Sequence, residues 1–315
     1  MPDCPILVAL LSEFTLLGIG EPDMGATQEQ AARPKTAPKT ALMASGEHRF
    51  TDRLGTWALI AGASEGLGAA FARQLAGRRV NLVLAARRKE PLEALAQQLR
   101  SAFGIAVRCA EGDLASPATL DKVLAECSGL DLGVVVCNAA QAPIGDFVAR
   151  EVDDLNRVVD VNVRAPLLLL RGLLPAMVAR GRGAAILMTS FTGHVGTPRI
   201  AAYAASKAFL RVLGESLWYE LKDQGIDVLA CSCGAVRTPG YAMAAGKEAP
   251  GTLNAEKVAK RALWALGGGP VVMPGFVNRL ATIVMTRFFP KRTAIAILAR
   301  STRSLAQVRD TRSAS

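Results

Sequence analysis

Tyr203 and Lys207 stand four residues apart in the run Tyr203-Ala204-Ala205-Ser206-Lys207, a spacing that puts both side chains on one face of a helix. A phenol with its ordinary pKa of about 10 exchanges protons sluggishly at neutral pH, and an ammonium beside it favours the phenolate. Such a pair also occurs as a plain surface feature, so its neighbours must decide. Ser190 closes an apolar run upstream of Tyr203, where its hydroxyl can hold a substrate oxygen. Asn162 interrupts the apolar stretch Val161-Asn162-Val163, where an amide is costly unless its hydrogen bonds are met. His194, four residues beyond Ser190, either faces the same pocket or is a solvated loop histidine.

A second group of residues is suited to an anion. The segment Ala61-Gly62-Ala63-Ser64-Glu65-Gly66-Leu67-Gly68 leads from an apolar run into a helical one, with glycines spaced GxxxGxG. Such a turn brings the backbone close to a pyrophosphate at a helix N-terminus, where unpaired N–H groups and the dipole favour negative charge. A glycine turn needed only for helix–sheet packing reads the same way. About 20 residues further on, where a carboxylate would bind a ribose 2′-hydroxyl, stands Ala86, followed by Arg87 and Arg88. A 2′-phosphate there would meet guanidinium groups, unless both arginines are solvated beside Glu65. Asp113-Leu114 is either an adenine contact or a turn aspartate with its neighbour, and Asn138 sits in Cys137-Asn138-Ala139-Ala140 at the end of another run.

These residues fall at the ends of short apolar runs that alternate with helical segments. The strand candidates are Trp57–Ala61, Asn81–Ala85, Ala106–Cys109, Gly133–Cys137, Ala185–Thr189, Val228–Ser232 and Val271–Met273. Helical segments between them include Ala69–Ala76, Pro91–Phe103, Ser116–Cys127 and Val152–Arg180. Runs of Val, Ile, Leu and Ala without alternation indicate strands covered on both faces. The repeated alternation predicts one α/β domain, a doubly wound parallel sheet of about seven strands with helices on both faces. Right-handed crossovers then put the ligand crevice at the strand carboxyl ends.

Composition narrows the choices. Half of the 315 residues are hydrophobic and 20% are charged, which provides a large core and excludes global disorder. The net charge of +10 is unevenly placed. From Phe276 onward Arg279, Arg287, Lys291, Arg292, Arg300, Arg303, Arg309 and Arg312 face only Asp310. With 5% aromatics and a nearly neutral body, nucleic acid is not an expected partner. Six scattered cysteines without a CxxC pair, and two histidines, give no metal site and suit a reducing cytoplasm. Residues 1–50 read as a poorly ordered leader with no signal peptide, and Met43 is an alternative start. Residues 51–275 form the folded domain and 276–315 a basic amphipathic extension, divided by Pro290 into two short helices. That extension either lies on an anionic membrane as a peripheral contact or packs its apolar face on its own domain or a second subunit.

Taken together, the motifs resemble the short-chain dehydrogenase/reductase family over about Arg53 to Pro274. The family's TGxxxGxG loop is present with Ala61 for Thr, its NNAG motif with Cys137 and Ala140 at the ends, and its PG turn as Cys233-Gly234. The resemblance implies a Rossmann-type fold and a catalytic set of Asn162, Ser190, Tyr203 and Lys207. It further implies an NADP(H)-dependent oxidoreductase, with NAD(H) as the other cofactor, acting between a carbonyl and a secondary alcohol. Cofactor contacts are expected at Gly62, Ser64, Glu65, Gly66, Leu67, Gly68, Arg87, Arg88, Asp113, Leu114, Asn138, Tyr203, Lys207, Val236 and Thr238. In that scheme Tyr203 protonates the alkoxide, Ser190 holds it, Lys207 lowers the phenol pKa, and Asn162 positions a water that relays protons to Lys207. The resemblance also implies a mobile flap after Thr238 over a hydrophobic small-molecule substrate, where Tyr241 and Met243 either line the pocket or pack against neighbouring helices. The family commonly forms homo-oligomers. The alternative on the same fold is a non-catalytic dinucleotide sensor or scaffold.

Overall fold

The computed structural model describes residues 48–239, 241 and 251–313, with side chains from Phe50 to Thr302. Most of the expected leader, with Met43, and the flap residue Met243 lie outside the described residues. In chain order the strands are β1 (Trp57–Ala61), β2 (Asn81–Ala86), β3 (Val107–Glu111), β4 (Leu132–Cys137), β5 (Gly183–Ser190), β6 (Ile226–Cys233), β7 (Val236–Arg237), β8 (Leu253–Asn254) and β9 (Val271–Val272). The helices are α1 (His48–Leu54), α2 (Gly66–Ala76), α3 (Lys89–Phe103), α4 (Pro117–Cys127), α5 (Val152–Val159), α6 (Ala165–Arg180), α7 (Ala201–Leu221), α8 (Ala255–Ala265), α9 (Phe276–Arg287) and α10 (Lys291–Ser313).

Seven strands pair in the order β3-β2-β1-β4-β5-β6-β9, and all six pairings are parallel. This is the expected doubly wound sheet. Its inner strands β1, β2, β4 and β5 read as nearly unbroken apolar runs because both faces are covered, while edge strand β3 exposes Arg108 and Glu111. On one face Ile60, Leu82, Leu84 and Ile186 meet Phe71 and Leu75 of α2, Leu92 and Leu99 of α3, and Val258 of α8. On the other, Leu59, Val83, Val135 and Leu187 meet Leu120 of α4, Leu169 and Met177 of α6, and Leu210 of α7. Neighbouring residues on one strand, such as Leu59 and Ile60, therefore enter different cores, and both are fully buried.

β1 pairs with β2 on one side and β4 on the other, with Ala61 opposite both Ala85 and Cys137. The chain reverses its direction of winding there, which opens a crevice beyond the carboxyl ends of β1 and β4. The β7–β8 pair, two residues on each strand, was not anticipated and stands beside that crevice.

The segment Val152–Arg180 is long and apolar enough, by length and composition, to cross a membrane. Here it lies against the sheet, with Leu169, Leu170, Leu173, Leu174 and Met177 buried. A π-helical turn, Asp160–Arg164, joins α5 to α6. Such wide turns recur at functional sites, and this one contains Asn162.

Phe71 is fully buried between α2 and the sheet. Phe71→Ala should cost about 3–5 kcal/mol of folding free energy, seen in guanidinium unfolding as a lower midpoint at unchanged slope. A loss below about 1 kcal/mol would contradict this packing.

Candidate active site

The crevice is built first from backbone. Gly62 N and Ala63 N donate to Ala85 O at 2.8 and 3.1 Å, turning the chain as it leaves β1. Asn138 N and Ala139 N donate to Ala61 O at 3.0 and 2.8 Å, and Asn138 Nδ2 donates to Gly62 O at 2.7 Å. The end of β4 is thereby stitched to the glycine turn. Gly68 has to lack a side chain, since a Cβ there would fall 1.9 Å from Gly62 O. The first turn of α2 packs onto the strand end, and no side chain caps its N-terminus. Its free N–H groups suit an anion.

A cleft of 480 Å³ opens above this turn. Among the expected cofactor contacts, Gly62, Ser64, Glu65, Gly66, Leu67, Arg87, Arg88, Asp113, Leu114, Asn138 and Thr238 line it. Gly68 supports the turn from behind, while Val236 sits in β7 and packs against the core. Ala86, placed at the ribose position from sequence, also lines the cleft, as do Gly112, Ala139, Ala140, Gln141 and Val161, which were not assigned as contacts. The alanines could have been found, because they complete the motif begun by Asn138.

The charged end of the cleft is more tightly paired than the sequence suggested. Arg88 contacts Glu65 at 2.6 Å, and both are well exposed. Asp113 behaves as the turn aspartate: its Oδ1 accepts from Ala115 N at 3.1 Å and its Oδ2 from Arg157. Burial pushes the Asp113 carboxyl up, but Ala115 N–H, Arg157 and Arg87 outweigh it and hold its pKa below the usual range. Arg157 gave no local signal, lying 44 residues from its partner. Arg87 is exposed, lines the cleft and acts on Asp113.

The second part of the site is carried by β5, the short turn Phe191–Gly193 and α7. Ser190 ends β5, and its Oγ accepts from Thr192 N at 3.3 Å and Thr192 Oγ1 at 3.0 Å. A Cβ on Gly193 would lie 2.8 Å from the Lys207 carbonyl carbon, so glycine is needed for this turn to touch α7. Tyr203 and Lys207 share a face of α7, with Nζ 5.5 Å from the ring centroid. Lys207 is 2% exposed and donates to Met188 O at 2.8 Å. Burial lowers its pKa to about 8, against the nearby thiols of Cys233 and Cys137.

Tyr203 departs from expectation. Burial pushes its phenol above the ordinary value, and a hydrogen bond with Ser190 only partly offsets this. The depression expected from Lys207 does not emerge: desolvation of the phenolate dominates, and the ammonium is held by Met188 O. A phenol in this state is fully protonated at neutral pH, which suits a proton donor.

Asn162 is fully buried, and its amide is satisfied. Oδ1 accepts from Gln141 N at 2.7 Å, while Nδ2 donates to Gln141 O and Ser206 Oγ, both at 2.9 Å. Ser206 Oγ donates to Tyr203 O at 2.7 Å. The side chain thus links the loop after β4 to the backbone beside Tyr203. Sequence reasoning missed Ser206, although a small hydroxyl between Tyr203 and Lys207 was the visible clue. His194 places Nε2 3.0 Å from Ser232 Oγ, a fully buried partner on β6.

Comparisons with known proteins agree with this fold. The family model for short chain dehydrogenases matches residues 56–248. A very-long-chain 3-oxoacyl-CoA reductase of Neurospora crassa is 37% identical over 195 residues, 60% of this chain and 58% of its own. The chain spans little more than half the length of that relative. A solved 7β-hydroxysteroid dehydrogenase superposes with a TM-score of 0.76 at 27% identity, covering 79% of this chain and 98% of that one. A short-chain dehydrogenase from Sphingobium yanoikuyae, solved with NADPH, gives a TM-score of 0.67 at 32% identity over 73% and 93%.

The buried ammonium has a measurable cost. Below its folded pKa of about 8, the folded and unfolded chains both carry the Lys207 proton, and the folded one bears the burial penalty. From about 8 to the ordinary lysine range only the unfolded chain keeps it, so parental stability rises with pH. Lys207→Met should therefore be more stable than the parent near neutral pH, by about 1–3 kcal/mol. That advantage should shrink in guanidinium unfolding at about pH 9.5. A variant that is less stable at neutral pH, or a gap that ignores pH, would contradict the buried charge.

Proposed function

The chain belongs to the short-chain dehydrogenase family, and from that premise we propose that it is an NADP(H)-dependent oxidoreductase interconverting a carbonyl and a secondary alcohol on a hydrophobic small molecule. The observation that carries this reading is the convergence of Ser190, Tyr203 and buried Lys207 at the sheet edge that also bears a dinucleotide-sized cleft. When bound, the cofactor supplies or accepts the hydride. The uncapped N-terminus of α2, with Ser64 to Leu67, would hold its pyrophosphate. Arg87 would pair with the 2′-phosphate, with Arg88 beside it in its contact with Glu65. NADP(H) is thereby favoured over NAD(H), and the Sphingobium yanoikuyae neighbour was solved with NADPH.

In the reductive direction Ser190 Oγ holds the carbonyl oxygen, and Tyr203 donates its phenolic proton to that oxygen as negative charge develops there. Its raised pKa keeps that proton available at neutral pH. The Lys207 ammonium, 5.5 Å from the ring centroid, stabilises the phenolate left behind. Asn162 acts as a positioning residue through Gln141 and Ser206. The reverse oxidation uses the same groups.

A hydrophobic substrate is supported by the relatives, whose names specify very-long-chain acyl and steroid chemistry. We place the reaction in the cytoplasm, a reading supported by the five free thiols among the described residues. A homo-oligomer is supported by exposed Val159, Leu167 and Leu168 along α5–α6 and by Phe209, Val212 and Tyr219 on α7.

NADPH consumption against a panel of ketones and aldehydes tests the reaction. Tyr203→Phe should lower kcat about 10²–10⁴-fold while leaving NADPH affinity, read by cofactor fluorescence, nearly unchanged; retained turnover would refute the assigned role. Arg87→Ala should weaken NADPH binding on the order of 10–100-fold with little effect on NADH. Equal losses for both cofactors would remove Arg87 from the 2′-phosphate site.

A further inference from the structure

The α9–α10 hairpin is fastened to the substrate side of the sheet edge. Asn278 of α9 donates to Gly251 O at 3.1 Å and Pro274 O at 3.4 Å. A Cβ on Gly234, just after β6, would lie 2.6 Å from Asn278 Oδ1, so α9 is seated directly on that turn. Phe191 and Val195, just beyond Ser190, pack with Met285, Phe289, Ala294 and Leu298 of the hairpin. The inner faces of both helices are thus accounted for.

Among the described residues the outer face remains uncovered. Phe276, Arg279, Ile283 and Arg287 form one exposed stripe along α9, opposite buried Asn278, Thr282 and Met285. Phe276 is 78% exposed and Phe288, at the turn into α10, is 67% exposed. Lys291 and Arg292 begin α10 and are also exposed. No acidic residue occurs between Phe276 and Thr302. Bulky apolar tips among unopposed cations match a surface that offers negative charge above and hydrocarbon beneath. An acidic protein face would supply the charge but not a fluid apolar layer to receive side chains this far from the core.

We propose that the outer face of the α9–α10 hairpin docks the protein on an anionic lipid bilayer, inserting Phe276, Ile283 and Phe288 while Arg279, Arg287, Lys291 and Arg292 contact lipid headgroups. The hairpin rests on the turns that follow Ser190 and Cys233, so docking brings the substrate side of the site to the membrane. Entry of an apolar substrate from the lipid follows only if the proposed reaction holds. The docking itself stands independently of that reaction.

Sedimentation of the full chain with phosphatidylcholine vesicles containing about one-third phosphatidylglycerol tests the docking without measuring turnover. At about 0.05 M salt the protein should pellet with these vesicles, remain free of pure phosphatidylcholine vesicles, and be largely released at about 0.5 M salt. Replacing three cations together (Arg287→Gln, Lys291→Gln, Arg292→Gln) should weaken partitioning on the order of a hundredfold, at about fivefold per charge. Phe276→Ser with Phe288→Ser should also release the protein, with unchanged circular dichroism and thermal melting showing intact folds. Absence of vesicle binding at low salt would overturn the proposal, as would binding insensitive to both sets of substitutions. Loss of self-association in these variants without vesicle binding by the parent would assign the face to a second copy instead. A negative result in any arm leaves NADPH turnover as a separate question.

Discussion

A charged amine sealed inside the protein is the constraint on which the carboxyl edge of the sheet depends. Lys207 is 2% exposed, and its ammonium is held by Met188 O, two residues before Ser190 on β5. The same strand end therefore anchors the amine and presents the hydroxyl. Gly193 lets the following turn touch α7 at Lys207, and Ser206 ties that helix through Asn162 to the loop after β4. Desolvation lowers the amine to about 8, which still leaves it largely protonated at neutral pH. Burial acts in the opposite direction on Tyr203, keeping its proton in place. One low-dielectric environment thus produces a neutral acid beside a cation, the arrangement needed where negative charge develops on oxygen.

The proposed dinucleotide cleft and the proposed acid–base group are assembled by different means. The cleft is mostly backbone, with Asn138 as a strut between Gly62 and the end of β4. The acid–base group depends on side chains delivered by α7 and on a π-helical turn that carries Asn162 into the interior. Substitutions in the first part should act through cofactor binding, and those in the second through the chemical step.

Much of this was visible in the residues. The inner strands could be read because both sheet faces are covered, so β1, β2, β4 and β5 appear as nearly continuous apolar runs, with Trp57–Ala61 placed to the residue. Edge strand β3 carries exposed Arg108 and Glu111 and was placed less closely. The helix after the glycine turn begins at Gly66 instead of Ala69, because the loop glycines themselves form its first turn. The second tail helix is not short but extends from Lys291 to Ser313. β7 and β8, two residues each, leave no periodic signal, whereas the equally short β9 was marked by its Val271-Val272 pair. The cost of burying Asn162 could be argued from its neighbours, but its partner Gln141 lies 21 residues away and is found only by folding. The direction of the Tyr203 shift was misjudged for a related reason. Spacing reveals that an amine is near, whereas the desolvation that outweighs it belongs to the whole packed site.

The most direct test is a crystal structure of the protein with NADPH. The account predicts the pyrophosphate at the start of α2, the 2′-phosphate beside Arg87, and the nicotinamide ribose within hydrogen-bonding distance of Lys207 Nζ and Tyr203 Oη. A dinucleotide bound elsewhere, or a nicotinamide end beyond the reach of both side chains, would contradict it.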